Sequence, residues 1–231
     1  MAKILYNLRF LIDFNTMTTI LRRALYIGAA LTNLFFFQVT QAADRLPAIP
    51  LEQYTAEQKQ AVTQYEAVRK APIFGPFEVM LYSPTMMTNA QEVGDYMKAG
   101  SAIPRNLAEL AILYIAKEWN QDYVWYQHVP LALKAGLAQA NVDALGYGQK
   151  PTNMNDDEDA VYAFVNEIVR NHQVADQTFD RVKRRFGSKG VVDLTSLTAF
   201  YVHLSMQLNV AKFKIPQGAA GIPHRVDATK P

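Results

Sequence analysis

The sequence predicts an all-α protein built around one antiparallel pair of helices. Three observations carry this. Apolar residues recur at spacings of three and four along most of the chain, and no stretch alternates convincingly with period two. Capping residues, prolines and glycines fall where helices start and stop. Two apolar stretches, 105–118 and 122–135, are joined by the turn Trp119-Asn120-Gln121-Asp122, and so short a link packs its helices antiparallel.

Residues 1–42 read as a removable leader. Arg22-Arg23 precede the apolar run 24–39, and Thr40-Gln41-Ala42 offers small residues at both positions that a signal peptidase reads. The run is short for a membrane span and contains Thr32 and Asn33. An uncleaved anchor helix is the other reading. Met17 would start a well-proportioned leader on its own, which makes residues 1–16 an over-extended start. Cleavage after Ala42 removes four cations (Lys3, Arg9, Arg22, Arg23) and one acid (Asp13), so the net charge of +2 becomes −1. The expected mature protein, residues 43–231, is a single exported domain, periplasmic or secreted. It has no membrane contact once the leader is gone, and 211–231 form a flexible tail.

The mature chain opens with a Pro-containing segment, 44–50. Residues 55–70 make an amphipathic helix with Thr55 as N-cap and Gln58 at the capping-box position. Pro72, Gly75 and Pro76 break it. A helix over 85–99 ends near Gly100. Pro104 sits near the first turn of the next, 105–118. Asp122 caps a helix that runs to Ala135 and stops at Gly136. Residues 155–171 start with Asp156-Asp157-Glu158-Asp159, charges that suit a helix N-terminus and read as a solvated cap, not a metal site. Residues 176–186 end in Arg181, Lys183, Arg184 and Arg185 before Gly187, cations and a Gly stop at a C-terminus. A nucleic-acid patch is the alternative there, but the run is short and isolated. A long apolar helix over 191–210 closes the chain. The segment 147–155 divides the helices into two groups without marking a domain boundary.

Composition excludes several functions. The 231 residues hold no cysteine, which removes disulfides, thiolate metal sites and cysteine nucleophiles. Charged residues are 19%, too few for a chain that coats nucleic acid. Four scattered histidines without a His-x₃-His pair form no metal-ligand set, and no Gly-rich phosphate loop occurs. His172 reads as an exposed helix-end residue, His203 as helix-packed, and His224 lies in the tail. No cofactor is expected.

The chemistry concentrates between Arg105 and Gly136. The helix from Arg105 to Ala116 is apolar nearly all round, through Leu107, Leu110, Ala111, Ile112, Leu113 and Ile115, so it is buried. Glu109 sits in its middle, and a carboxylate there needs a partner. Arg105, four residues earlier on the same face, is the nearest candidate. A structural Arg105–Glu109 ion pair is the plain reading. On the next helix Gln121, Val124 and His128 share one stripe, with Trp125 beside it. A lone His beside Trp is commonly a satisfied core residue. Pro130 cannot donate to the Tyr126 carbonyl, which leaves that oxygen for a side chain or water. The antiparallel return brings Glu109 and His128 toward each other, and a buried acid with an imidazole in an apolar pocket makes an acid–base pair.

These residues resemble a known family. The run Pro104-Arg105-x-x-x-Glu109-Leu110-Ala111-Ile112-Leu113, then Asn120-x-x-Tyr123-x-Trp125-x-x-His128-x-x-x-Ala132-x-x-x-Gly136-Leu137, is similar to the carboxymuconolactone decarboxylase family, which also contains the AhpD-type alkylhydroperoxidases. Leu81-Tyr82-Ser83-Pro84 resembles the family's opening helix, and 179–190 with 191–201 its closing segment. The resemblance implies an all-α fold and a homotrimer or a multiple of trimers. It places the family's proton-relay Glu and His at Glu109 and His128. Peroxidase members carry Cys-x-x-Cys ahead of the His; here those positions are Gln121 and Val124, and a second relay His is Tyr123. The decarboxylase branch needs no cysteines and acts on a small carboxylated lactone.

Three functions follow as expectations. The first is a cofactor-independent lyase, or a related acid–base enzyme, on a small carboxylated or lactone substrate. In it Glu109 or His128 transfers the proton, Arg105 holds an anion or orients Glu109, and Tyr123, Trp125 and Gln121 contact the substrate. The second is an alkylhydroperoxidase of peroxiredoxin type, against which the absent dithiol stands. The third is a non-catalytic extracytoplasmic binding protein. A pocket wide enough for a ring-sized ligand favours the first, and a pocket sealed by Trp125 and Tyr123 the third.

Overall fold

A computed structural model describes residues 45–223, which lie in one unit spanning Asp44–Pro231. The leader expected over 1–42, its start at Met17 and His224 fall outside the described residues. A single 3₁₀ turn, Leu51–Gln53, precedes eight helices: α1 (Ala56–Arg69), α2 (Pro76–Met80), α3 (Pro84–Ala99), α4 (Arg105–Glu118), α5 (Asp122–Lys134), α6 (Gln139–Gly146), α7 (Asp156–Asn171) and α8 (Asp176–Ala211). No strand occurs among the described residues, and no helix there is long and apolar enough to cross a membrane.

Local chemistry explains most boundaries. Thr55 and Gln58 close a full capping box at α1, and Asn155 with Glu158 closes another at α7. The acidic first turn of α7 is held by cations from elsewhere: Arg181 and Lys150 reach Asp159, and Arg185 reaches Asp156 and Asp157. At α5 the expectation is corrected. Gln121, not Asp122, is the N-cap, its side chain accepting from the Tyr123 amide at 2.8 Å. The run Asp176–Ala211 is two helices meeting at Gly187, whose φ of 69° and ψ of 178° break the helix where the Gly stop is expected.

Helix α4 is the centre. Residues Leu107 to Ala116 are all buried, and α5, α6, α7 and α8 pack around it. This is the large apolar cluster. A smaller one gathers α1, α2 and the start of α3 around Tyr65 and Met87, joined by Phe200 and Leu204 of α8. One polar joint ties α8 to the loop before α4. Buried Asp193 accepts from the Ala102 amide at 2.7 Å, the Tyr96 hydroxyl at 2.9 Å and Lys189 Nζ at 2.6 Å.

The C-terminal segment departs from expectation. A flexible tail is expected from residue 211, yet up to Pro223 the chain is docked. Phe213 stacks edge-on against Tyr123 at 4.9 Å, Ile222 is buried, and its amide donates to Asp122 Oδ1 at 3.0 Å. Two glycines permit the approach. A Cβ on Gly221 would lie 2.8 Å from Asp122 Oδ1, and one on Gly146 would lie 3.0 Å from Pro223. The signal overlooked is the apolar spacing of Phe213, Ile215 and Ile222 among prolines and glycines, which buries surface without helical period.

Candidate functional site

The site grows from the α4–α5 pair. Glu109 is buried because α4 is surrounded on all sides, and its carboxylate has no exposed surface (0%). Arg105, one turn earlier and 43% exposed, reaches its Oε1. The antiparallel return of α5 sets His128 Nδ1 2.7 Å from Oε2. A carboxylate paired with a guanidinium is an acceptor, so Nδ1 donates to it and Nε2 is the ring nitrogen left on the other side. His128 is 14% exposed, and Nε2 has no hydrogen-bond partner among the described residues.

His128 also lines a cavity of about 130 Å³, whose walls draw on both apolar clusters. Aromatic rings wall it: Phe74 and Phe77 from α2 and its approach, Tyr123 from α5, Phe200 and Tyr201 from α8. The Tyr201 ring meets the His128 ring edge-on at 5.1 Å. Burial, and then the Glu109 charge, push the Tyr201 phenol up; burial does the same to Tyr123 against the lowering effect of its Gln127 hydrogen bond. Both therefore stand as neutral hydroxyls. Three cations reach the cavity, Arg69, Lys98 and Arg105.

The structure sorts the expected residues. Arg105, Tyr123 and His128 line the cavity; Glu109 lies behind His128 and has no exposed surface of its own. Trp125 does not contact the cavity. It is buried in the α4-centred core, its ring edge beside Gly146, because the cavity-facing side of α5 carries 123, 124, 127, 128 and 131. Gln121 is also turned away: its side chain is spent on the Tyr123 amide and on Asn209 Oδ1 at 2.9 Å. Sequence reasoning missed Arg69, Lys98, Phe200 and Tyr201. Arg69 and Lys98 lie in the last turns of α1 and α3, and the two rings belong to the long apolar helix α8. No local spacing links any of them to Glu109. No group of three or more metal-ligating side chains clusters among the described residues.

Neither a family model nor a curated protein matches the chain. Among solved structures it is similar to an AhpD-core protein, an uncharacterized peroxidase-related protein from Ralstonia eutropha JMP134. That match has a TM-score of 0.59 at 14% identity and covers 75% of this chain and 93% of that one. The fold is AhpD-like. On this AhpD-like frame the α4–α5 pair carries the carboxylate and the imidazole, and α8 supplies the opposite wall of the cavity.

Proposed function

We propose that this chain is a cofactor-independent acid–base enzyme, of lyase or decarboxylase type, acting on a small carboxylated or lactone substrate. The observation that carries the reading is the 2.7 Å contact between Glu109 and His128 at the wall of an aromatic, cation-rimmed cavity. His128 is the group that touches substrate, through Nε2. Glu109 is a positioning residue: it fixes the tautomer and stabilises the imidazolium after a proton is taken. Arg105 holds the Glu109 carboxylate in place.

In a decarboxylation the C–CO₂ bond breaks and carbon dioxide leaves. Nε2 first takes a proton from the substrate's carboxyl group or from solvent; the electron pair of the broken bond stays on the substrate, in its lactone or carbonyl, and the imidazolium then returns that proton to the carbon. Tyr123 and Tyr201, as neutral phenols, offer hydroxyls to the developing oxyanion.

Thiol peroxidase chemistry has no residue to carry it, since the chain contains no cysteine. A non-catalytic binding role is less well supported, because Trp125 does not seal the cavity. The proposal includes export, supported by the pattern over 22–42, and assembly into trimers or their multiples, supported by the family resemblance alone.

The test uses purified protein and a panel of small carboxylates and lactones in D₂O, followed by NMR for deuterium exchange or loss of CO₂. Turnover that falls about 10²-fold or more in His128→Asn and in Glu109→Gln is the expected result. Turnover indifferent to His128→Asn, or none across the panel, overturns the proposal.

A further inference from the structure

The cavity holds more positive charge than its acid–base pair consumes. Arg105 is taken by Glu109. Arg69 is a guanidinium with only 9% of its side chain exposed, lying over two rings, 4.9 Å from the Phe77 centroid and 5.3 Å from Tyr65. Its Nη2 meets Asp95 at 2.9 Å, while its buried Nε has no acceptor. Gly94 makes room for it, since a Cβ there would lie 3.1 Å from Nη2. Lys98, one turn beyond Gly94 on α3, makes no ion pair among the described residues. Burial, and then repulsion by Arg69, hold its ammonium below the ordinary lysine range. Three cations thus face two carboxylates, Asp95 and Glu109, which leaves one positive charge unmatched.

Size and shape limit what matches it. An engineered apolar cavity of about 150 Å³ admits benzene. The present cavity, about 130 Å³ with Phe77, Tyr123, Phe200 and Tyr201 around it, takes one ring and no fused pair. Aromatic walls favour a flat partner that stacks edge or face. Lys98 is exposed as a residue while its ammonium is partly shielded from water, which places it at the rim, so the charged end of the ligand lies toward the opening.

We infer that Arg69 and Lys98 form the anion subsite of this cavity, and that its ligand is a planar, ring-sized monocarboxylate. The inference rests on the reading of the cavity as the substrate site. The carboxylate meets Lys98 and the free donors of Arg69, and the ring lies against the aromatic walls within reach of His128. A second carboxylate would meet no second unmatched cation, so dicarboxylates are discriminated against.

Calorimetric titration of the purified protein with benzoate tests this, with benzyl alcohol and acetate as the neutral and ring-less controls. Benzoate binds at one site, and each control binds at least about tenfold more weakly, the worth of a charge-assisted contact or of a buried ring. Lys98→Met weakens benzoate by about tenfold and leaves benzyl alcohol unchanged, whereas Lys98→Arg keeps benzoate binding. Arg69→Gln acts in the same direction; exposed Lys98 carries the test should that variant not fold. Benzoate that binds no better than benzyl alcohol, or equally well to Lys98→Met, overturns the inference. Lys98-dependent benzoate binding without proton exchange on any carboxylate overturns the catalytic proposal and leaves the subsite standing. Proton exchange with Lys98-independent binding does the reverse.

Discussion

Gly75 and Tyr123 press together so closely that a Cβ at position 75 would lie 2.4 Å from Tyr123 Cε1 and 2.8 Å from its hydroxyl oxygen. Gly75 also holds φ 56° and ψ −121°, a backbone state that L residues scarcely populate. The turn into α2 is therefore the seat on which a wall of the cavity rests. Gly75→Ala is expected to cost about 2–4 kcal/mol from backbone strain and overpacking together. For a domain of this size that lowers Tm by roughly 5–15 °C. Thermal melts measure it, and an unchanged Tm would show that Tyr123 swings aside without cost.

Glu109 and His128 separate stability from chemistry. Glu109→Ala removes the acceptor of His128 Nδ1 and leaves a void in a fully buried place, a loss on the order of 3 kcal/mol. Glu109→Gln keeps the shape and a hydrogen bond, and its cost is about 1 kcal/mol. His128→Asn, at the cavity wall, costs about the same. Melts place Glu109→Ala well below the other two; equal losses for Ala and Gln would show that the carboxylate's charge, not its volume, carries the stability.

The docked C-terminal segment gives a sharp contrast. Ile222→Ala and Phe213→Ala are each expected to destabilise by about 1–3 kcal/mol, because Ile222 is buried and Phe213 braces Tyr123. Substitutions in a free tail stay within about 0.5 kcal/mol. Urea midpoints distinguish the two.

Asp193 sets part of the acid limit. Burial pushes its carboxyl up, but hydrogen bonds from Lys189, the Ala102 amide and Tyr96 together hold it below the ordinary aspartate value. A folded-state value below the unfolded one means stability fully present above about pH 4 and lost as the pH falls through the folded-state value. Asp193→Asn is therefore less stable at neutral pH and loses less on acidification below pH ~4. Denaturant midpoints against pH, for both proteins, reveal the flattening; parallel curves would dismiss the assignment.

Export is checked on protein recovered from cells that express the whole gene. The pattern over 22–42 calls for a mature N-terminus at Ala43. Mass spectrometry of the N-terminal peptide decides it, and an intact 17–42 segment on recovered protein refutes cleavage.

Legibility in the sequence followed the range of the interactions. The capping box at Thr55, the Gly187 break and the burial of Glu109 are set by residues within a turn or two, and all were readable. The contact between Glu109 and His128 was also readable, because a four-residue turn leaves the two helices a single way to return. What failed depended on rotation and distance. Trp125 and Val124 are neighbours in sequence and both buried, yet about 100° of helical rotation lets only Val124 reach the cavity. Arg69, Lys98 and Tyr201 reach the site from helices separated from α5 by other elements, and no periodicity reports that. The short helices α2 and α6 were missed because five and eight residues hold too few turns to show a period.

The joint at Asp193 has a mechanical consequence. Tyr201 lies eight residues further along α8, about 12 Å by helical rise, and that helix makes one side of the cavity while α4 and α5 make the other. Asp193 grips the loop from which Arg105 starts. The two sides are therefore tied at one joint, and a tilt of about 5° there would move the Tyr201 ring by about 1 Å. Displacements of that size change reaction rates about 10²-fold. In the proposed reaction the spacing between Tyr201 and His128 would thus depend on a carboxylate that touches neither.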